Sequence, residues 1–483
     1  MSIRKKAISG VLWNSISNFS SFGIDFIVGL ILARLLTPKD FGLIATIIVV
    51  IALSEVFINS GFNQAIIRKQ NCTQKDYSTA FFFNFIVAVF FFIILLITAK
   101  PISVFFNNTE LKPLIQVLAF GLIISSFTLI QQAKLTKRID FKLQTKISLI
   151  SSTTSGCIGI VLALTGFGVW SLVVRSLTNK GIQSSLLWLW NRWKPDLVFS
   201  FDSFKELFGF GSKLLVSGLV GTLLQNINYI IIAKYFTPQD LGYFTRAEMF
   251  KNLPSQNISS IITTVGYPVL ATLQDDPVKM KKTFRYMLVN TFFVISILMA
   301  GLAATAKPLI LTLIGQQWLP SVILLQMLAF LGVMVPLNSM NINILNVVGR
   351  SDLYMKLQFV VQALAIPNIF VGVFFGIKAL IVGMIIISLV GYVIFNHESY
   401  KVLNYSIREQ IKDVLPSSIL ACFMGLIVFM VGYMSDYHHS ITLMIQIITG
   451  MLIITSAGEL LKLKEYIFFK GILLDKVQMF VKK

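Results

Sequence analysis

The stretch STAFFFNFIVAVFFFIILLITA, Ser78 to Ala99, contains no charged residue. Comparable apolar runs, about 20 residues long, recur from one end of the chain to the other, and each suffices to cross a hydrocarbon layer roughly 30 Å thick. Inside such a layer every backbone N–H and C=O has to be paired within the protein, which leaves helices or closed barrels. Continuous apolar runs of this length read as helices. Composition agrees: 55% of the 483 residues are hydrophobic and 13% charged, against roughly a quarter charged in soluble domains. Mean hydropathy is +0.79. The chain therefore reads as an all-α polytopic membrane protein with no separate soluble domain.

The runs predict about fourteen transmembrane helices. The first six are Ala7–Leu36, Phe41–Ile67, Ser78–Ala99, Leu111–Ala133, Ile147–Leu164 and Val169–Trp190. The second six are Phe210–Phe236, Leu241–Leu270, Phe284–Ala306, Leu319–Val348, Lys356–Phe375 and Ala379–Phe395, and the last two are Val414–Tyr433 and Ile441–Leu461. Pro254, Pro336 and Pro367 fall inside long helices, where neighbouring helices can satisfy the freed carbonyls. SIRKK precedes a helix that runs past Leu36, too long for a signal segment and without a small-residue cleavage site. The three cysteines, Cys72, Cys157 and Cys422, are too scattered for a disulfide framework or a metal cluster.

Lysine and arginine set the orientation. One set of alternate loops holds clusters such as Arg68, Lys69 and Lys75, then Lys134 to Lys146, then Lys279 to Arg285, and six lysines from Lys462 to Lys483. The opposite loops hold only Arg34, Lys39, Lys100, Lys112, Lys234, Lys307 and Lys378. Both termini are expected in the cytoplasm. Most of the net charge of +20 is then topology signal and attraction to anionic lipid, so nucleic acid is not an expected partner.

A repeat adds architecture. ILARLLTPKDFGL (Ile31–Leu43) returns as IIAKYFTPQDLGY (Ile231–Tyr243), keeping Thr-Pro, Asp and Gly in register. RIDF (Arg138–Phe141) resembles RSDL (Arg350–Leu353), and GFGVWS (Gly166–Ser171) resembles GIKALI (Gly376–Ile381). The expected layout is two parallel-related six-helix lobes, residues 1–194 and 195–404, around a central cavity, with two further helices and a cytoplasmic tail in 405–483. Thr-Pro-x-Asp also reads as a helix cap with its acid on the favourable end of the helix dipole.

WNSISNF, LLTPKDFGLIA, GFNQAIIRKQ (Gly61–Gln70) and GYFTRAEMFKNLP (Gly242–Pro254) resemble the Wzx-type polysaccharide flippases, a branch of the multidrug/oligosaccharidyl-lipid/polysaccharide exporter superfamily. The similarity covers roughly Arg4 to Asn404, and the span count fits the twelve-plus-two helices of that branch. The resemblance implies a bacterial inner-membrane protein that moves undecaprenyl-pyrophosphate-linked oligosaccharide units to the outer leaflet by alternating access. Polysaccharide polymerase and chain-length machinery are its implied partners, alongside membrane lipids.

Ionisable groups within spans cost about 2.5–3.5 kcal/mol or more and default to functional candidates. Here they are Asp25, Glu55, Arg175, Lys180, Lys213, Arg246, Glu248, Lys251 and, near an end, Glu459. The set leans basic, which suits a pyrophosphate leaving water. Arg246, Arg175 and Lys213 are the head-group candidates, although Arg246 can instead pair with Glu55 or Asp25 and Lys213 can snorkel to the interface. Asn14, Asn18, Ser21 and Asp25 share one face of the first span, to line either a cavity or a helix interface. Asn14 and Asn18, with Asn338, Asn341, Gln358 and Gln362, are candidates for sugar hydroxyls, since amides both donate and accept; interhelical bonding explains the last four equally well. In the related drug exporters an acid on the first helix serves cation coupling, which makes Asp25 the candidate here, with a static salt bridge as the bland alternative. Glu55 and Glu248 are further coupling candidates, and Glu248 can pair with Lys251. The Met- and Ile-rich last two spans are expected to hold the polyprenyl tail.

Enzyme signals are nearly absent. Asp275-Asp276 read as a turn cap, adjacent His438-His439 make a poor metal site, and no phosphate-cradling loop with lysine is present. No cofactor or metal is expected, and H+ or Na+ is the candidate coupling ion. The competing readings are a drug/cation antiporter of the same superfamily, for which the basic inventory is unsuited, a membrane-embedded polymerase, for which the external loops are short, and a non-transporting scaffold.

Overall fold

The computed structural model describes residues 3–471, and for residues 3–12, 14–19 and 351 the backbone alone. The described chain divides into two compact units, Met1–Gly242 and Tyr243–Lys483.

The first unit contains α1 (Ile3–Leu35), α2 (Pro38–Asn59), α3 (Phe62–Arg68), α4 (Gln74–Phe105), α5 (Leu111–Lys137), α6 (Phe141–Leu164), α7 (Val169–Asn191) and α8 (Phe201–Tyr235), and the start of α9 (Pro238–Ile261). Helix α1 packs on α6, α6 and α5 on α7, α4 on α5, and α2 on α8. Leu43, Ile47, Ala88, Leu114, Leu118 and Val173 form a shared core of α2, α4, α5 and α7. A second, aromatic core gathers Phe62, Phe81 and Trp193. Trp193 lies in the connection after α7, which is tied back by Gln131 donating to the Trp193 carbonyl at 3.0 Å and the Trp193 indole donating to Gln74 at 2.8 Å.

Local chemistry sets the breaks. Thr37 accepts from the Asp40 N–H, and Asp40 accepts in return from the Thr37 N–H, a reciprocal cap that starts α2. Thr237 and Asp240 repeat these bonds at the start of α9. Between α2 and α3 the chain turns through left-handed Ser60 and Gly61, φ 45° and 70°, and a side chain on Gly61 would strike the Gly211 backbone of α8. The repeat-matched Gly166 and Gly376 also share positive φ, 84° and 92°.

The second unit continues α9 through a π-helical turn, Ile262–Gly266, into α10 (Tyr267–Ala271). Pro268 has no N–H for the carbonyl of residue 264, and the wider turn absorbs that mismatch. Then follow α11 (Pro277–Ala304), α12 (Ala306–Leu313), α13 (Ser321–Val347), α14 (Ser351–Ala363), α15 (Ala365–Phe375), α16 (Ile377–Leu403), α17 (Ile407–Met434) and α18 (His439–Leu460). The eleventh expected span is thus two helices, broken where Pro367 leaves the Ala363 carbonyl without its helical donor. Helix α11 packs on α13 and α17, α13 on α16, and α17 on α18. Asp276 caps α11, accepting from the Lys279 N–H at 3.0 Å, which holds its carboxyl below the usual range.

Eleven helices among the described residues are long and apolar enough to cross a membrane. The protein is an all-α, multi-pass membrane protein. Three of the fourteen expected spans, those on α1, α7 and α9, are not among the eleven: about half of α1 is described by backbone alone, while α7 and α9 are long, at 23 and 24 residues, yet too polar to qualify on composition. Those two helices carry most of the candidate site.

Candidate functional site

Helix α7 supplies two cations to the first unit. The Arg175 stem packs on Gly159 of α6, and Lys180 packs beside Gly121 of α5, so small residues on the neighbours make room for both side chains. Arg175 Nη2 lies 2.6 Å from Asp25 Oδ1 on α1. Lys180 Nζ lies 2.5 Å from Glu55 Oε1 on α2, which also accepts from Ser125 at 3.4 Å. The bases are the packed members and the acids the open ones: exposure is 22% for Arg175 against 51% for Asp25, and 24% for Lys180 against 41% for Glu55. A cavity of about 160 Å³ lined by Glu55, Ser176, Lys180 and Leu118 adjoins the second pair.

This arrangement sharpens the sequence reading at several positions. Asp25 and Glu55 each pair with a cation of α7. The four charges cancel, so the basic lean of the first unit's in-span charges rests on Lys213. Ser21, on the same face as Asp25, bonds Ser148 of α6 at 2.8 Å; that part of the polar face is a helix interface. The side chains of Asn14 and Asn18 lie outside the described residues. Asn179, one turn along from Arg175, donates to Ser155 at 3.2 Å. Lys213 is exposed on α8. Lys234, matched by Arg34 in the repeat, donates to the Phe105 carbonyl at 2.5 Å and lies over its ring.

In the second unit Lys251 is buried, with its stem against Gly332 of α13, and its ammonium reaches Glu248 at 3.5 Å. The half-buried Arg246 sits one turn before, its guanidinium 3.3 Å from Met249 Sδ. Asn341 is fully buried and accepts from Ser399 of α16 at 2.8 Å, while Asn338 donates to Ser388 at 3.2 Å. Both amides therefore join α13 to α16, as polar groups between membrane helices do. Gln358 and Gln362 are half-buried on α14. In the first unit the structure brings Arg175 to Asp25 and Lys180 to Glu55; in the second it brings Lys251 to Glu248. Lys180 is the site residue the sequence reading left without a role. Its five-residue spacing from Arg175 puts the two on different sides of an ideal helix turn, so only the folded positions of α1 and α2 reveal that they serve parallel pairs.

Comparison with known proteins places this geometry. The chain is 27% identical over 441 residues to the teichuronic acid biosynthesis protein TuaB of Bacillus subtilis (strain 168), covering 90% of this chain and 91% of that protein. It is 25% identical over 314 residues to the succinoglycan biosynthesis transport protein ExoT of Rhizobium meliloti (strain 1021), covering 65% and 64%. Among solved structures, the lipid II flippase MurJ in an inward closed conformation superposes with a TM-score of 0.71 at 17% identity, over 97% of this chain and 99% of that one, a likeness of fold. The family described as polysaccharide biosynthesis protein matches residues 31–323, a span containing both Thr-Pro turns, the Lys180–Glu55 and Lys251–Glu248 pairs and Arg175, whose partner Asp25 lies just before it. The chain belongs to the polysaccharide biosynthesis protein family.

Proposed function

We propose that this protein is a flippase, not an enzyme, which carries undecaprenyl-pyrophosphate-linked oligosaccharide units from the cytoplasmic to the outer leaflet of a bacterial inner membrane. The observation that carries the reading is the pair of acid–base contacts on α7, whose carboxylates are open although their helices belong to a membrane bundle. Charges are not left open to lipid tails, so open carboxylates mark a wet surface along a transport path. The named roles of the relatives in polysaccharide biosynthesis, and in one case its transport, supply the cargo class.

The chemistry of the pairs supplies a mechanism. A pyrophosphate arriving at Arg175 or Lys180 offers that cation two or more acceptor oxygens and displaces Asp25 or Glu55. The released carboxylate then lies uncompensated beside an anionic head group and favours taking H+ or Na+. Cargo and coupling ion are linked through a shared partner, and alternating access returns the pairs to their starting state once the head group leaves. Within the second unit, Arg246 keeps its candidacy as a head-group cation. An apolar cleft of about 370 Å³ between α11, α13 and α17, lined by Phe292, Met299, Phe330, Met334, Ala421 and Cys422, suits part of a polyprenyl tail. The lysine-rich loops support cytoplasmic termini, and polymerase and chain-length proteins are the partners such a pathway requires.

Depletion of the protein in its host tests this. Completed single repeat units should accumulate on undecaprenyl pyrophosphate, accessible only from the cytoplasmic side. Units accessible from outside but unpolymerised would make it a polymerase instead, and unchanged lipid intermediates with altered drug sensitivity would make it an antiporter.

A further inference from the structure

A third, larger cavity lies in the second unit. It measures about 580 Å³ and is bounded by the starts of α11 and α17 and by the chain beyond α18. Helix α11 contributes Lys282, Arg285 and Tyr286, then Val289 and Asn290, a stripe at three- and four-residue spacing along one face. Lys412 and Asp413 come from α17, and Lys464 and Glu465 from the C-terminal segment. Four cations thus face two carboxylates.

One carboxylate is already committed. Asp413 receives Arg285 at 2.5 Å and the Tyr405 hydroxyl at 2.5 Å, which fixes the guanidinium at the wall. Among the described residues, Lys282, Lys412 and Lys464 have no ion-pair partner, and all three are exposed. The third wall is held in place. Residues 464–471 are helical, Phe468 meets Tyr286 edge-on at 5.4 Å, Phe469 stacks with Phe293 at 6.2 Å, and Lys470 pairs with Glu459.

The layering identifies the ligand class. Along α11 the lining passes from Lys282 and Arg285 to Val289 within two turns, about 10 Å. Along α17, Ile411, Leu415 and Ile419 form an exposed apolar stripe beside Lys412. A half-exposed tyrosine stands at the change of polarity, the position interfacial aromatics take. Cations above and open hydrocarbon-facing surface below match a molecule with a phosphate head and acyl chains, not a freely soluble anion. We propose that this cleft is a binding site for an anionic phospholipid, its phosphodiester held by Lys282, Lys412 and Lys464 and its chains running down α11 and α17.

The test uses the full-length protein in phosphatidylcholine nanodiscs doped with phosphatidylglycerol, with the retained lipid counted by native mass spectrometry. Phosphatidylglycerol should be enriched on the protein, and Lys282→Gln, Lys412→Gln and Lys464→Gln together should lower its affinity, by about fivefold for each lysine if each is worth the usual interfacial contribution. The single Lys412→Gln variant gives the same reading at about fivefold should the triple variant fail to fold. Lys100→Gln, Lys112→Gln and Lys307→Gln together remove equal charge elsewhere and should leave retention unchanged. Equal loss in both triple variants would reduce the effect to net charge and overturn the site. Displacement of the lipid by inorganic phosphate as effectively as by short-chain phosphatidylglycerol would show a soluble-anion site and overturn the assignment to lipid.

Discussion

Arg175 illustrates how one side chain can be both structural and functional. Its stem fills the space above Gly159 and its guanidinium holds Asp25. Because Asp25 is half open to solvent, the pair contributes modestly to stability, on the order of 1 kcal/mol or less. Asp25→Asn should therefore leave thermal stability nearly unchanged while lowering transport by about tenfold or more, since a neutral amide, once displaced by pyrophosphate, cannot take up the coupling ion; tenfold corresponds to about 1.4 kcal/mol. Purified-protein melting curves and a transport assay separate the two effects, and the reversed pair, Asp25→Arg with Arg175→Asp, should restore melting behaviour without restoring transport. Asn341 should behave in the opposite way. It is buried and bonded to Ser399, so Asn341→Ala should destabilise by about 1–3 kcal/mol through the lost interhelical hydrogen bond and lost packing. Transport per folded molecule should stay near normal; a selective loss of transport would return Asn341 to the sugar-binding set.

At the level of elements, the repeated turns do more than cap helices. A Cβ on Gly42 would lie 1.7 Å from the Pro238 carbonyl oxygen, and one on Gly242 would lie 1.9 Å from that of Pro38. Each copy's glycine receives the other copy's proline, so the start of α2 and the start of α9 cross in reciprocal contact. The sequence shows Gly in register at both positions, and the capping reading accounts for Thr and Asp; the demand for Gly comes from a contact 200 residues away in sequence, which no local rule exposes. Gly42→Ala should force the two turns apart at a cost of about 1–3 kcal/mol, read as a lowered melting temperature, with Gly242→Ala matching it. If either alanine were tolerated without loss, the crossing would not be tight in the membrane. Pro367 was legible as a proline inside a long helix and Pro268 was not singled out; whether each bends, widens or splits its helix depends on the packing around it.

For the whole molecule, the apolar runs made the helical membrane architecture legible because lipid leaves the backbone so few alternatives. The span count was less secure at α7 and α9 for the same reason that they matter: the polar groups that weaken the hydropathy signal are those that pair or face a wet path. Asp25, Glu55 and Arg175 stood out in the sequence as charges within spans. Their partnership with one another and with Lys180 did not, since it requires α1, α2 and α7 to be brought together by packing. For the amides of α13 the sequence left sugar contact and interhelical bonding equal, because the two uses demand the same side chains. The account as a whole rests on transport of a lipid-linked pyrophosphate, and purified protein in liposomes carrying a lipid-linked oligosaccharide tests it most directly. With sugars accessible to an external glycan-modifying enzyme as the readout, vesicles containing the protein should expose the inner-leaflet pool over time, and vesicles containing the Asp25→Asn variant should not. An inner-leaflet pool that stays protected in the presence of folded wild-type protein, with and without H+ or Na+ gradients, would contradict the flippase.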